Sequence, residues 1–363
     1  MTTRTESETG TALQPLLVEP RFDERIWGGH KLATEFGTGA PQDRPIGEAW
    51  EIYDENRVLN GPYAGSTIAE LRRIMGRELT GHIPPDRQLP ILAKLIDAHD
   101  VLSVQVHPDD HFARILEHEP NGKTECWYVI EAEPGATLTY GFTQDSSPAE
   151  YERLVGEGRL EAILRPLPVK PGDVIYIPAG TVHAIGAGIV VYELQQTSDI
   201  TYRIYDWNRR NSQGHPRELH VDKAKRVLDY HRWTRGKIRP LTRPGSGRSM
   251  LVASEYFCME LVEAGSPEEI STYNSPVAVF ALDRPVRIEA SGVEVVLRPY
   301  SSLLVPAAAG SYAVRPEMRD GARRAVIAYV PDSQEAIRDD LRSRGFGDPE
   351  IDAFLAQFAA TVS

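Results

Sequence analysis

The chain has 363 residues, 41% of them hydrophobic and 25% charged, a globular composition in a chain too long for one ordinary core. Its net charge of −12 excludes an extended nucleic-acid surface, which requires an excess of Lys and Arg, but allows a local cationic cluster for one phosphorylated metabolite. Two cysteines are too few for a disulfide framework and favour the cytoplasm, and no run reaches the roughly 18 apolar residues of a membrane span.

Short strands are the main predicted elements after a tail, residues 1–14, that we expect to be disordered. Runs rich in β-branched residues and bounded by Gly, Pro or Asp predict strands at residues 89–96, 101–107, 127–130, 174–177 and 189–194. Two helices interrupt them. Capping-box patterns begin at Thr67 and at Ser147, the second with Pro148 at the first helical position.

A polar, turn-rich segment at residues 242–247 predicts a domain boundary. We therefore expect a metal-binding domain at 15–240, a second β domain at 241–332 and a helical segment at 333–363. Two prolines seven residues apart occur in both β domains, at Pro171 and Pro178 and again at Pro299 and Pro306. An internal repeat and a coincidence remain equally open, and the second copy carries Ser311 where the first carries His183.

Three polar side chains alternate with apolar ones in the strand at 101–107. Because side chains alternate across a strand, Ser103, Gln105 and His107 share one face. For that segment alone an ordinary half-exposed strand is the favoured explanation, and His107 with His111 could instead form a helical pair. With Glu125 and His183 added, two imidazoles, a carboxylate and an amide could bind one divalent metal such as Zn²⁺.

The turn Pro178-x-Gly180-x-x-His183 aims a histidine back toward its sheet and matches the second sequence motif of cupins. Two departures from the family pattern are visible. Gln105 replaces the first histidine of the first motif, and Ala187 stands where cupins usually carry Asn.

Three segments resemble the type I mannose-6-phosphate isomerases in their short bacterial form, a branch of the cupin superfamily. They are residues 102–110 (LSVQVHPDD), 122–128 (GKTECWY) and 202–209 (YRIYDWNR), and the resemblance runs from about residue 17 to 230. It implies a mainly β chain of two cupin-like jelly-roll barrels with helical insertions and a helical C-terminal segment. It also implies one Zn²⁺ per chain, with site residues in three roles: metal ligands Gln105, His107, Glu125 and His183; catalytic residues Arg203 and Glu193; and substrate-binding residues Lys94, Ser103 and Lys123.

The resemblance predicts a metal-dependent aldose–ketose isomerase that interconverts mannose 6-phosphate and fructose 6-phosphate through an enediol(ate). The expected partner is a small phosphorylated sugar, with neither nucleic acid nor membrane, and the oligomeric state stays open. A sugar-phosphate sensor without turnover is the alternative, and a cupin oxygenase using iron is a third possibility. Arg209 and Arg210 are further candidates for a phosphate contact, although such a pair is more often a solvated loop.

Overall fold

The computed structural model describes residues 13–210, 214–316 and 323–359. Residues 1–12 of the predicted tail lie outside these ranges. Within them the fold is mainly β, built from antiparallel sheets with helical insertions and two helices at the C-terminal end, which confirms the predicted fold class. None of the helices in these ranges is both long enough and apolar enough to cross a membrane.

The first barrel is formed by a six-stranded and a five-stranded sheet. In the order of hydrogen-bonded neighbours these are β2-β3-β4-β11-β6-β9 and β12-β5-β10-β7-β8. The strands are β2 Arg21–Gly29, β3 Ile46–Ile52, β4 Ile91–Ala98, β5 Val104–Val106, β6 Glu125–Ala132, β7 Thr137–Phe142, β8 Leu164–Pro168, β9 Val174–Ile177, β10 His183–Ala184, β11 Ile189–Gln196 and β12 Tyr202–Tyr205.

The second barrel is formed by a seven-stranded and a four-stranded sheet, in the orders β1-β20-β17-β22-β15-β14-β13 and β16-β21-β18-β19. Its strands are β1 Leu16–Leu17, β13 Leu241–Thr242, β14 Arg248–Ala253, β15 Cys258–Ala264, β16 Glu268–Ser271, β17 Val277–Ala281, β18 Val286–Ala290, β19 Val293–Leu297, β20 Ser302–Val305, β21 Ser311–Pro316 and β22 Arg323–Tyr329.

The two barrels repeat one strand order. The series β2-β3-β4-β11-β6-β9 corresponds position by position to β13-β14-β15-β22-β17-β20, and β5-β10-β7-β8 corresponds to β16-β21-β18-β19. The segments after Pro171 and Pro299 therefore occupy equivalent places, and the proline spacing marks a structural repeat. Because β1 pairs with β20 through Leu16 and Leu304, the start of the described chain joins the second barrel.

Eight helices lie in the described ranges: α1 Lys31–Thr34, α2 Ile68–Met75, α3 Arg77–Thr80, α4 Asp110–Leu116, α5 Pro148–Gly156, α6 Val221–Val227, α7 Gln334–Ser343 and α8 Asp348–Leu355. The capping box at Thr67 is confirmed, with both reciprocal bonds to Glu70. Ser147 accepts the Glu150 N–H as predicted, but the Glu150 carboxylate accepts from Ser146, so the second box is only half formed.

The barrels pack through one continuous apolar core that includes the outer face of β4, β6 and β11. Cys126 Sγ on β6 lies 3.9 Å from Met259 Sδ on β15, and Tyr192 on β11 stacks on Phe280 with ring centroids 4.5 Å apart. One carboxyl is buried in this apolar contact. Glu51 on β3 is 0% exposed, and its Oε2 accepts from Ser302 Oγ on β20 at 2.9 Å.

An ion network fills part of the second barrel. Glu260 on β15 is 0% exposed, accepts from Arg248 at 2.8 Å and pairs with Arg344, just after α7, at 2.9 Å. Pro178 and Pro306 are equivalent positions of the repeat. When the strand pairing is followed from each of them across its sheet, Glu260 of the second barrel is equivalent to Lys94 of the first. The same position therefore belongs to an internal ion network in the second barrel and lines a cavity in the first.

Candidate active site

Three residues from separate strands converge inside the first barrel. His107 follows β5, Glu125 begins β6 and His183 begins β10, and one ligand atom from each lies within 4.8 Å of the others. His107 Nε2 is 3.5 Å from Glu125 Oε2, and His183 Nε2 is 3.3 Å from Glu125 Oε1. This buried group could hold a metal ion.

Backbone carbonyls fix both imidazole rings. His107 Nδ1 lies 2.8 Å from the Ile200 carbonyl and His183 Nδ1 lies 2.8 Å from that of Thr181, so each ring turns Nε2 toward Glu125. The turn before His183 is built as expected: Gly180 has φ +85° and its N–H donates to the His107 carbonyl. Such outer contacts are what orient histidine ligands in metal sites.

Two of the convergent atoms lack a protein partner. His107 Nε2 and Glu125 Oε1 are buried without a hydrogen bond, whereas Glu125 Oε2 has the Lys123 ammonium beside it. Burial lowers the pKa of His183 to about 4 and that of His107 well below its usual value, so both rings are neutral and present a lone pair. Orphaned buried acceptors around one point are costly unless something positive lies between them, so this donor set fits a cation.

Two further side chains border the group. The Gln105 amide lies 3.3 Å from His183 Nε2, and turning the amide over would present its oxygen instead. Lys123 Nζ lies 3.0 Å from Glu125 Oε2. Burial alone would lower the pKa of Lys123, but the charges of Glu125 and Glu193 outweigh it and raise that pKa, so the ammonium stays charged.

A cavity of about 370 Å³ opens above the group. That volume suits a hexose phosphate rather than a large cofactor. Its wall includes six of the residues predicted from the sequence, namely Lys94, Ser103, Gln105, Lys123, Glu193 and Arg203. Together with the buried group of His107, Glu125 and His183, all nine predicted site residues lie in one place.

Glu193 on β11 reaches the cavity from the strand beside Glu125. Its Oε2 accepts from Trp127 Nε1 at 2.9 Å, and its Oε1 lies 3.9 Å from Lys94 Nζ. Burial raises the pKa of Glu193 and the charge of Glu125 adds to the rise, while Lys123 and Lys94 oppose it. A carboxyl whose pKa is raised by burial beside a cavity is a candidate for exchanging protons with a bound molecule.

Lys94 lies among three carboxylates without a close partner. Its Nζ is 3.7 Å from Glu48, 3.9 Å from Glu193 and 3.8 Å from Asp199, and it sits 4.4 Å from the centroid of Trp50. Burial would raise the pKa of Glu48, but Lys94 and Arg25 lower it to about 2. The Lys94 ammonium therefore has no short hydrogen bond among these residues and can donate to an anion in the cavity.

Arg203 enters from the edge strand β12. Its Nη1 donates to the Glu218 carbonyl at 2.9 Å, and its Nε is buried without a partner. Arg217 also lines the cavity and is held by Asp206, which binds Arg209 as well. Of the pair weighed from the sequence as a phosphate contact, neither Arg209 nor Arg210 lines the cavity.

Sequence reasoning missed several cavity residues. Arg25, Trp27, Glu48, Asp199 and Arg217 all line the cavity but were not predicted as site residues. Three of them, Arg25, Asp199 and Arg217, had no local signal. Trp27 and Glu48 lie in residues 26–29 (IWGG) and 47–51 (GEAWE), which also look like N-terminal segments of the family and could have singled them out.

The alternative helical pair of histidines is wrong. Pro108 follows His107, the helix α4 starts only at Asp110, and His111 is exposed on it. His107 therefore belongs to the end of β5 and faces Glu125.

Comparison with known proteins places these features in a family. Residues 16–129 match the model of the phosphomannose isomerase type I catalytic domain. A Bacillus subtilis protein named "Probable mannose-6-phosphate isomerase GmuF" is 35% identical over 305 residues, 83% of this chain and 96% of its own length. The mannose-6-phosphate isomerase of Streptococcus mutans is 37% identical over 298 residues, 81% of this chain and 92% of its own length.

A solved structure agrees over nearly the whole molecule. The crystal structure of the mannose 6-phosphate isomerase from Bacillus subtilis has a TM-score of 0.79 and 33% identity, and covers 87% of this chain and 99% of its own. The match extends well past residue 230, where the sequence motifs end. The chain belongs to the type I phosphomannose isomerases and is an isomerase of that family.

Proposed function

We propose that the protein interconverts mannose 6-phosphate and fructose 6-phosphate by proton transfer between C1 and C2, with one Zn²⁺ per chain. The names of its relatives support the substrate. The observation that carries the proposal is the set of orphaned ligand atoms on His107 and Glu125 beside the raised-pKa carboxyl of Glu193. Gln105 and Lys123, which border the proposed metal site, and Glu193, the proposed proton-exchanging group, all line one cavity of about 370 Å³.

Gln105, His107, Glu125 and His183 are the residues that would hold the ion. The ligand atoms of His107, Glu125 and His183 lie within 4.8 Å of one another, and the Gln105 amide borders His183 Nε2 at 3.3 Å, close enough for all four to share one ion. A divalent cation supplies Lewis-acid stabilisation of the negative charge that develops on substrate oxygens. With an ion bound, Glu125 would be occupied as a ligand and unavailable as a base.

Glu193 is our candidate for moving the proton. Its Oε2 is engaged by Trp127, which leaves Oε1 as the oxygen for proton exchange with the substrate carbon. The elevated pKa lets Glu193 accept a proton from one carbon and return it to the next without a large mismatch. The charge of Lys94 lowers the same pKa and so opposes the effect of burial.

The cations around the cavity would bind the phosphate and stabilise the enediolate. Arg203 offers a guanidinium whose Nε is unpaired, and Lys94 and Lys123 offer charged ammonium groups. Ser103 adds a small hydroxyl donor on the same wall. This cluster reconciles an anionic substrate with a chain of net charge −12. We place the enzyme in the cytoplasm, because both of its cysteines are buried free thiols.

Metal removal followed by reconstitution tests the proposal. We expect protein stripped by a chelator to lose mannose 6-phosphate isomerisation and to regain it at about one equivalent of Zn²⁺. Retained full activity at zero metal content would refute the metal role. Binding of the sugar phosphate without any turnover in the zinc-loaded protein would instead favour the sensor.

A substitution tests the acid–base role separately. Glu193→Gln should lower kcat by roughly 10² to 10⁴ while zinc content stays at one per chain. Glu263→Gln, on an exposed carboxylate of the second barrel, is the control and should leave kcat unchanged. A loss below tenfold for Glu193→Gln would remove this residue from the proton transfer.

A further inference from the structure

Strand β12 is the outer strand of its sheet in the described chain, with β5 on one side only. Arg203 lies in the middle of it. The backbone N–H and C=O of an edge residue on its open side must find other partners, because unpaired groups there cost free energy. How these two groups are satisfied decides how firmly the backbone of Arg203 is held.

One residue satisfies both of them. The Arg203 N–H donates to His220 Nδ1 at 3.1 Å, and the His220 N–H donates to the Arg203 carbonyl at 2.7 Å. The Glu218 carbonyl, two residues earlier, accepts from Arg203 Nη1 at 2.9 Å. A three-residue segment therefore binds Arg203 at its backbone donor, its backbone acceptor and its guanidinium.

The segment itself is anchored. His220 directly precedes α6, and the Ala224 N–H of that helix donates to the His220 carbonyl. Helix α6 is in turn packed on the barrel through the buried Ala224 and Val227. The contact on Arg203 is thus part of the scaffold rather than of a free loop.

The ring must be neutral to accept at Nδ1. Burial and the charge of Arg203 lower the pKa of His220, and Lys223 acts in the same direction, while Glu218 and Glu117 oppose it. Nδ1 is therefore free to accept at neutral pH, which places the ring proton on Nε2.

We propose that His220 is a positioning residue for Arg203: its ring and backbone hold the edge strand so that the guanidinium faces the substrate. The inference rests on the proposed role of Arg203. Without these contacts from residues 218–220, an arginine on an edge strand would sample several orientations. A displacement of about 1 Å can lower the rate on the order of 10²-fold.

Substitutions at position 220 distinguish the effect of the ring's hydrogen-bond acceptor from the effect of side-chain volume. His220→Asn keeps an acceptor close to Nδ1, whereas His220→Leu removes it and keeps the size; His220→Ala is a second acceptor-free variant. His231→Leu is the matched control, since that exposed ring contacts Asp229 and not Arg203. Each variant is measured as the zinc-loaded full chain, with kcat, KM, metal content and Tm.

We expect His220→Leu and His220→Ala to lower kcat roughly 30- to 100-fold at unchanged metal content, with a small change in KM. His220→Asn should stay within about fivefold of the wild type, and His231→Leu should match it. In an Arg203→Ala background, His220→Leu should cause no further loss of kcat, because His220 then has no guanidinium left to position.

Three results would overturn the inference: kcat of His220→Leu and His220→Ala within threefold of wild type, His220→Asn as impaired as His220→Leu, or losses that multiply in the double variant. Severe impairment of Arg203→Ala alongside any of these would leave the proposed function standing. A mild effect of Arg203→Ala would contradict the role of Arg203 itself.

Discussion

Glu51 should make the stability of the protein depend on pH. This carboxyl is completely buried between the barrels, with Ser302 Oγ on one oxygen and no partner on the other. Burial raises its pKa from 4.5 to about 8, and the single hydrogen bond from Ser302 opposes the rise only weakly. The folded chain therefore retains a proton that the unfolded chain releases above pH 4.5.

The direction and size of the pH effect on the free energy of unfolding follow from this difference in bound protons. Between pH 4.5 and 8 the folded state binds one more proton than the unfolded state, so stability falls as pH rises. Each pH unit costs about 1.4 kcal/mol, and the full window costs about 5 kcal/mol. The contribution is fully present below pH 4.5 and is lost once pH has passed 8. Glu51→Gln keeps the shape and an acceptor for Ser302 but carries no charge, so it removes the slope.

Denaturant unfolding at pH 4.5, 5.5, 6.5, 7.5 and 8.5 measures the effect. We expect Glu51→Gln to differ little from the wild type near pH 4.5 and to gain about 1.4 kcal/mol per pH unit relative to it up to pH 8. Glu55→Gln, on an exposed neighbour, is the control and should run parallel to the wild type. Parallel slopes for Glu51→Gln and the wild type would refute the reasoning, because the carboxyl would then titrate alike in both states.

Two further substitutions address the cavity wall and the second barrel. Trp50→Leu removes the aromatic face 4.4 Å from Lys94 and should raise KM for the sugar phosphate roughly fivefold or more with little change in kcat; an unchanged KM would show that the ring does not support Lys94. Glu260→Gln leaves Arg248 and Arg344 without their buried partner and should lower the free energy of unfolding by about 3 kcal/mol at unchanged zinc content. A loss below 1 kcal/mol in denaturant unfolding would contradict that reading of the network.

A strand prediction agrees with the structure where the local pattern decides, and one observed strand is shorter than predicted because tertiary contacts take its carbonyls. The strand at 174–177 agrees with the structure to the residue. The predicted strand at 101–107 shrinks to Val104–Val106, because the carbonyls of Val101 and Leu102 accept from Arg209 and Trp207 instead of a neighbouring strand. A window of sequence around residue 101 carries no sign of donors that lie more than a hundred residues away.

The candidate site was predictable for residue types that a family motif identifies and hidden where only folding brings groups together. The Pro-Gly turn before His183 identifies that residue in the sequence. His220 has no local pattern, and its contact with Arg203 depends on how α6 packs. The division of the chain at residue 240 stays a prediction. Leu16 and Leu17, far upstream of it, pair with β20, and a two-residue strand leaves no trace in sequence.

Strand β6 belongs to two interiors at once, since Glu125 points to the proposed ion while the next residue, Cys126, touches Met259 of the other barrel. A change of volume at Met259 consequently shifts the backbone that carries the carboxylate without altering any atom that lines the cavity. Affinity for the proposed ion would therefore depend on packing in the interface between the two barrels, which no substrate contacts.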